Sequence, residues 1–155
     1  MTLDLRDPSL PADAVAATLE LRPHPEGGRF REVWRDEPGD GSRGAGTAIQ
    51  FLLAAGERSH WHRVDAAETW LWQAGAPLVL SMCWEGSDPL ELRLGPDLSA
   101  GQRLVATVPK GWWQAATPAG GWSLVACTVS PAFRFEGFEL APPGWSPGGA
   151  ASPSA

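Results

Sequence analysis

Tyrosine is absent from the sequence, so no phenol can serve as an acid or a base in any site of this chain. Cysteine is scarce: Cys83 and Cys127 each lie in an apolar run, and they form no C-x-x-C pair. The spacing excludes zinc-ribbon and thioredoxin-like motifs. We therefore expect two buried thiols in a protein of a reducing compartment.

Long apolar runs and an excess of basic residues are also missing. No run approaches the roughly 20 residues that a transmembrane helix needs. The first ten residues, MTLDLRDPSL, lack the basic start and the apolar block of a signal peptide, so we expect a cytoplasmic protein. The formal net charge of −6 argues against nucleic acid and anionic membranes as partners, because both attract basic surfaces.

Tryptophan, in contrast, is abundant. Nine tryptophans are more than the core of a 155-residue chain usually needs, so we expect several of them to line a pocket or an interface. The length suits a single domain, which we place at residues 1–141. Residues 142–155 are mainly Pro, Gly, Ala and Ser, a composition that predicts a disordered tail.

Short alternating segments, separated by Gly, Pro, Asp or Ser, dominate the rest of the chain. Turn signals recur about every 8 to 12 residues, which is typical of an all-β sandwich or barrel. One short N-terminal helix is predicted at residues 10–21, where Pro11 precedes Val15 and Leu19 at helical spacing. The predicted strands are 29–34, 47–54, 60–64, 68–73, 78–84, 90–94, 103–108, 113–116, 122–129 and 135–140.

The segment GERSHWHRVDAAETWLWQAG, residues 56–75, contains the main candidate site. It predicts two short strands joined by a polar turn. In an extended strand His60 and His62 point to the same face, and Glu68, Trp70 and Trp72 share a face in the next strand. If both faces look inward, these side chains line one cavity of a barrel that holds a small ligand.

This segment resembles the first motif of the cupin superfamily. Gly56, His62, Glu68 and Gly75 fall on the positions of that motif without a gap. Val64 stands where a second histidine is usual.

A second segment, 101–114, resembles the second cupin motif. Pro109 and Gly111 match its Pro-x-Gly turn, and Gln114 replaces the histidine that normally follows. Because the turn delivers the next strand into the barrel, we expect Gln114 to point at the pocket.

Four segments, two of which overlap the motifs above, are similar to an uncharacterised branch of the superfamily, the Cupin_5 type. The resemblance implies a double-stranded β-helix, or jelly-roll, barrel that is commonly a homodimer and is related in shape to dTDP-4-keto-6-deoxyhexose 3,5-epimerases. For the dimer, we expect an exchange of the strand at 29–34. The four segments are HPEGG-aromatic-RE at 24–32, WHRV at 61–64 with the following Glu and Trp, VP-x-G-x-WQA at 108–115 and WSLV-x-CTV at 122–129.

The resemblance leaves two chemistries open for the cavity. Cupin metal sites normally use three imidazoles and a carboxylate, so a divalent metal such as Fe, Mn, Ni or Zn would need His60, His62, Glu68 and Gln114 as ligands. The alternative is a pocket without a cofactor, in which His62 and Glu68 hydrogen-bond to each other or to the ligand. A carboxylate beside His62 would fix its tautomer and raise its basicity, which suits proton abstraction next to a carbonyl.

Sugar epimerases of this shape pair a histidine base with a tyrosine acid, and this chain has no tyrosine. Glu26, His24, His60 or water would have to replace it. Glu68 also has a purely structural interpretation, as a buried carboxylate tied to Arg63 or to a backbone N–H.

Further residues are candidates for binding the substrate. We expect Glu26 and Arg29 to close the barrel mouth, with Arg29 offering a fork for a carboxylate or phosphate, whereas Gly27 and Gly28 supply a sharp turn. Trp70 shares a face with Glu68, and Trp112 shares a face with Gln114, so we expect these two tryptophans to reach the pocket. His60 and Gln114 are also predicted to bind the substrate.

These observations support three hypotheses. The first is an isomerase- or epimerase-like enzyme that uses His62, Glu68 and Glu26 for acid–base chemistry on a small oxygenated substrate resembling a sugar or a keto acid. The second is a metal-dependent oxygenase or lyase. The third is a non-catalytic module in which Trp70 and Trp112 stack on a ligand.

Overall fold

The computed structural model describes residues 2–148, which form two antiparallel β-sheets and one short helix. The elements, in chain order, are α1 (Ala12–Thr18), β1 (Arg22–Pro23), β2 (Arg29–Arg35), β3 (Thr47–Leu53), β4 (Ser59–Val64), β5 (Ala67–Gly75), β6 (Leu78–Cys83), β7 (Leu90–Leu94), β8 (Val105–Val108), β9 (Trp113–Pro118), β10 (Ser123–Ser130) and β11 (Phe138–Leu140). One sheet has the order β1-β2-β3-β10-β5-β8 and the other β11-β4-β9-β6-β7. The predicted all-β jelly-roll barrel with one N-terminal helix is confirmed.

Most strands begin and end within a few residues of the predicted positions. The clearest differences are at the ends of the chain. Residues 22–23 lie outside the predicted strands but pair with β2 as a two-residue strand. The last predicted strand begins with a 3₁₀ turn at Phe135–Gly137, and only Phe138–Leu140 pairs with β4.

The helix α1 is shorter than predicted and packs on the outer face of the six-stranded sheet. It ends at Thr18, because Glu20 adopts a positive φ of 57° that is incompatible with a continuing helix. Val15 and Ala16 are buried against Leu52 and neighbouring apolar residues. The helix therefore covers a sheet face that would otherwise expose apolar residues, and it leaves the barrel interior free.

The barrel interior is apolar at one end and polar at the other. Inward-facing positions of β3 alternate along the strand, with Leu53 and Phe51 in the core and Ile49 and Thr47 lining a cavity. Trp70 of β5 is fully buried in the core, with its ring edge-to-face against Phe51 at 6.0 Å. The packed core thus forms the floor of the cavity.

The C-terminal segment folds back on the outside of the five-stranded sheet. Trp145 packs on Trp61 and Trp113, with ring centroids 6.3 and 4.5 Å away. Of the predicted disordered tail, residues 142–148 follow this path, and 149–155 lie outside the described residues. Within residues 2–148, no helix is long and apolar enough to cross a membrane.

Candidate functional site

The polar end of the barrel contains a cavity of about 60 Å³. Its lining includes four buried histidine and glutamate side chains: His24, Glu26, His62 and Glu68. The remaining lining residues are Phe30, Glu32, Arg35, Thr47, Ile49, Val64, Cys127, Val129, Phe133, Phe135 and Phe138. Acidic and basic groups therefore lie within a largely aromatic and aliphatic wall, where interactions between charges are strong.

His62 forms a buried ion pair with Glu26, and not with Glu68 as the sequence predicts. Its Nε2 lies 2.6 Å from Glu26 Oε2, and its Nδ1 lies 2.7 Å from the carbonyl oxygen of His60. Burial alone would lower the pKa of His62, but the charge of Glu26 and the hydrogen bond to it outweigh burial and raise the pKa to about 9. A carbonyl and a carboxylate both accept, so His62 is an imidazolium that donates both of its protons.

Glu26 is correspondingly ionised. Burial acts to raise its pKa, but the charge of His62 and hydrogen bonds from His62 and Ser59 hold the pKa below its usual value. Ser59 Oγ donates to Glu26 Oε2 at 2.9 Å. Glu26 is therefore an anion in this site, a charge state that does not favour its predicted role as an acid.

The HPEGG turn places Glu26 in the cavity. Gly27 and Gly28 have φ values of 111° and 72°, and a Cβ at Gly27 would collide with the carbonyl oxygen of Arg58. Only glycine fits such a position, so the turn lies directly on the start of β4. The backbone N–H of His60 then donates to the carbonyl oxygen of Glu26 at 2.8 Å. The structural interpretation of the two glycines agrees with this geometry.

Glu68 is held by a chain of hydrogen bonds that crosses from one sheet to the other. Trp70 Nε1 donates to Gln114 Oε1 at 2.7 Å, and Gln114 Nε2 donates to Glu68 Oε1 at 2.8 Å. An indole N–H can only donate, so it fixes the orientation of the Gln114 amide. Glu68 Oε1 must then accept, and a proton on Glu68 is confined to Oε2.

The protonation of Glu68 is balanced near neutrality. Burial raises its pKa to about 7; the positive charge of His62 opposes this shift, and the negative charge of Glu26 adds to it. Arg63, one of the two partners that the structural interpretation of Glu68 proposes, instead pairs with Glu139 and Glu85 at 2.7 and 3.3 Å. Within residues 2–148, no hydrogen bond is made to Glu68 Oε2, so this oxygen can exchange a proton with a molecule in the cavity.

His24 is a neutral imidazole on the cavity wall. Its Nδ1 accepts a hydrogen bond from the backbone N–H of Glu26 at 3.1 Å, so its proton lies on Nε2. Burial lowers the pKa of His24, with the charge of Glu26 opposing the shift. The ring is held edge-on by Phe30 and Phe51, with centroids 4.6 and 5.9 Å away.

The prediction that His60 faces the cavity is wrong. Ser59 pairs with Ala116 and His62 with Gln114, so β4 contains one residue more than β9 between these pairs. This β-bulge breaks the alternation, and His60 points outward, where its Nε2 lies 3.0 Å from the carbonyl oxygen of Pro142.

The other four predicted binding residues also do not line the cavity. Arg29 forms an ion pair with Asp13 of α1 at 3.0 Å, outside the barrel. Trp70 faces inward as predicted but belongs to the core, and Trp112 packs against that core without lining the cavity. Gln114 is fully buried behind Glu68, which makes it a partner of Glu68 and not part of the cavity wall.

The four predicted metal ligands are not brought together. His60 lies outside the cavity, and both ring nitrogens of His62 are occupied by hydrogen bonds. In the part of the chain from residue 2 to 148, no group of three or more His, Cys, Asp or Glu side chains has the arrangement of a metal site. The residues at the predicted site therefore do not fit a cupin metal.

Several cavity residues were not predicted. Phe138 of β11 lies against the His62 imidazole, with centroids 5.5 Å apart and the rings inclined at 35°. Strict alternation along β2 would point Trp34 into the cavity, but Arg35 lines the cavity instead. Both cysteines are buried, and burial raises the pKa of the Cys127 thiol well above its usual value. Its position beside the cavity has no signal in the sequence.

Several solved structures are similar to this chain. A hypothetical protein from Leishmania major has 32% identity over 85% of this chain and 88% of that one, with a TM-score of 0.77. Protein SO0799 from Shewanella oneidensis has 42% identity over 85% of each chain, with a TM-score of 0.80. Oxalate decarboxylase from Bacillus subtilis shares the fold alone, with 12% identity over 76% of this chain and 29% of that one and a TM-score of 0.60.

A search of curated proteins finds no match to this chain. The sequence model of one family, Cupin_5, described as cupin superfamily (DUF985), matches residues 13–141. The match covers all but the first residue of α1 and each of the eleven strands in the described part of the chain. The chain therefore belongs to the Cupin_5 family of the cupin superfamily.

Proposed function

We propose that this protein is an isomerase-like enzyme in which Glu68 transfers a proton to and from a carbon atom next to a carbonyl group. The observation that carries the proposal is a buried carboxyl group with a pKa of about 7 and one free oxygen in a cavity. A general acid–base group works best when its pKa lies near the working pH. Keeping such a group buried costs stability, and functional sites are where this cost is usually found.

The chemistry follows from the roles of the surrounding groups. Glu68 Oε2 takes a proton from the carbon, the C–H bond breaks, and its electron pair moves to the carbonyl oxygen as an enolate. The fixed imidazolium of His62 stabilises that negative charge, and the Nε2–H of His24 is a donor for the oxygen. Return of the proton to the same carbon regenerates the substrate with its hydrogen exchanged. Where the reacting carbon bears a hydroxyl group, movement of the hydroxyl proton to the enolate oxygen and return of the proton from Glu68 to the former carbonyl carbon complete an isomerisation.

This assignment changes the roles that the sequence indicates. His62 cannot act as the base, because both of its protons are committed to Glu26 and to a backbone carbonyl. Because Glu68 is the group whose pKa lies near neutrality, proton transfer on one face of the substrate is favoured over the inversion that an epimerase carries out.

The size of the cavity restricts the reacting part of the substrate. One water molecule needs roughly 10–15 Å³ of cavity volume. The cavity of about 60 Å³ therefore accommodates about four to six atoms other than hydrogen. This suits a small keto or hydroxy acid, or the reactive end of a larger sugar-like molecule. A stacking module is less well supported, because neither Trp70 nor Trp112 lines the cavity.

The test is exchange of substrate hydrogen with solvent deuterium, followed by NMR across a panel of small keto and hydroxy compounds. Glu68→Gln should lower the exchange rate by about 100-fold or more, whereas Glu91→Gln, an exposed position on β7, should leave it unchanged. Absence of exchange across the panel, or undiminished exchange in Glu68→Gln, would refute the proposal.

The homodimer remains a prediction. Val33 and Trp34 of β2 are 53% and 52% exposed, which leaves an apolar pair on the predicted exchange strand. We expect light scattering at micromolar concentration to give twice the monomer mass, and a monomer mass would contradict the prediction.

A further inference from the structure

A second β-bulge, in β2, turns a guanidinium group into the cavity. Glu32 pairs with Ile49 and Trp34 pairs with Ala48, so β2 contains one extra residue at this point. Alternation from Glu32 would bring Trp34 inward, but Trp34 is 52% exposed and Arg35 lines the cavity instead. Bulges are common beside active sites, where they redirect a side chain.

Arg35 is the only lysine or arginine among the described residues that line this cavity. Its Nε and Nη2 donate to the two oxygens of Glu32 at 2.7 and 2.9 Å. The side chains of Arg35 and Glu32 are 31% and 33% exposed, so the pair lies where the cavity meets solvent. A guanidinium that already holds one carboxylate in a two-bond fork has the geometry to hold another.

We propose that Arg35 binds the carboxylate of the substrate, which displaces Glu32, and that the substrate is therefore a small keto or hydroxy acid. This inference rests on the proposed function and names the substrate class. When the substrate carboxylate replaces Glu32, Arg35 keeps a carboxylate partner. Glu32 loses little stabilisation, because its partly exposed carboxylate can turn into water. Arg29, which the sequence indicates for this role, is held by Asp13 outside the barrel.

The charges in the rest of the cavity agree with a single anionic group at this end. Glu26 and His62 neutralise each other, and Glu68 is about half protonated at neutral pH. A monoanion bound by Arg35 therefore meets no uncompensated full charge at the other end of the cavity. A phosphate dianion would bring a second negative charge that no other lining arginine or lysine matches.

Binding measured without turnover tests this inference. Pyruvate, lactate and glyoxylate would be titrated into the intact protein by NMR or calorimetry, with pyruvamide as the neutral analogue of pyruvate and methyl phosphate as the dianionic comparison. At least one acid should bind about 10- to 100-fold more tightly than pyruvamide and methyl phosphate. Arg35→Gln should remove that preference and leave pyruvamide binding unchanged.

Two further variants complete the test. Glu32→Gln removes the competing carboxylate and should strengthen binding of the acid. Arg31→Gln, on the same strand but bonded outward to Glu20, should change nothing. Equal binding of acid and amide, no binding of any acid, or an unaltered preference in Arg35→Gln would overturn the inference.

The outcome is separable from that of the proposed function. Arg35-dependent binding without hydrogen exchange would refute the proton transfer and leave the carboxylate site standing. Hydrogen exchange that depends on Glu68 but not on Arg35 would refute the carboxylate site and leave the proton transfer standing.

Discussion

Glu68→Gln should stabilise the protein at neutral and alkaline pH but hardly at acidic pH. The pKa of Glu68 is raised from 4.5 to about 7 in the folded state. Between these values the folded protein binds a proton that the unfolded chain has released, so stability falls as the pH rises through this window. Glutamine does not titrate, and its carbonyl oxygen can still accept the hydrogen bond from Gln114.

The magnitude follows from the shift. One pKa unit corresponds to about 1.4 kcal/mol, so the buried carboxyl group costs about 3 kcal/mol once the pH is well above 7. At pH 5 only the beginning of the window has been crossed, and the cost is less than about 1 kcal/mol. The advantage of Glu68→Gln over wild type should therefore grow by about 2–3 kcal/mol between pH 5 and pH 8.

Urea unfolding of both proteins at the two pH values measures this difference. Any change in packing that does not depend on pH cancels, because only the growth of the free-energy difference is used. Glu91→Gln on β7 is the matched control, and its difference in free energy of unfolding from wild type should be the same at both pH values. If the difference between Glu68→Gln and wild type is the same at pH 5 and pH 8, Glu68 does not have a raised pKa and is not suited to acid–base catalysis near neutral pH.

Three other substitutions test the surrounding structure. Glu26→Gln should lower the pKa of His62 from about 9, as NMR titration of the imidazole would show. It should also cost about 3–5 kcal/mol of stability at pH 6 and less above pH 9, where the wild type loses the pair as well; an equal loss at both pH values would contradict the ion pair. Trp70→Phe leaves the buried amide oxygen of Gln114 without a donor and should cost about 1–3 kcal/mol in urea unfolding, so an unchanged stability would contradict the hydrogen-bond chain. Trp145→Ala removes two aromatic contacts and should lower the free energy of unfolding by about 1–3 kcal/mol; no change would show that the C-terminal segment does not pack there.

Local patterns in the sequence predicted an all-β sandwich or barrel with one helix, and the resemblance to cupins specified the jelly roll. Alternating apolar residues and regularly spaced turn residues mark the strands, and Pro11 marks the helix start. The same alternation places Glu68 and Trp70 on one inward face. Gln114, which follows the Pro-x-Gly turn, is buried against Glu68 but does not line the pocket as predicted. These are properties of residues a few positions apart, which a strand or a tight turn fixes on its own.

The tertiary structure decided which charged groups meet. Glu26 pairs with His62 although 35 residues separate them in the chain, because the glycine turn lies on the start of β4. No local pattern records that contact, and sequence proximity suggested Glu68 instead. The pKa values near 9 and 7 also depend on burial and on neighbours from several strands.

Two β-bulges account for the outward position of His60 and the inward position of Arg35. Each inserts one residue into a strand and reverses the faces beyond it, so His60 and Trp34 point outward and Arg35 points inward. A bulge is set by pairing with the neighbouring strand, since the extra residue exists only relative to its partner. The sequence alone thus determined the barrel and most of its inward positions, whereas the pairing of strands decided which side chains reach the cavity and in what charge state.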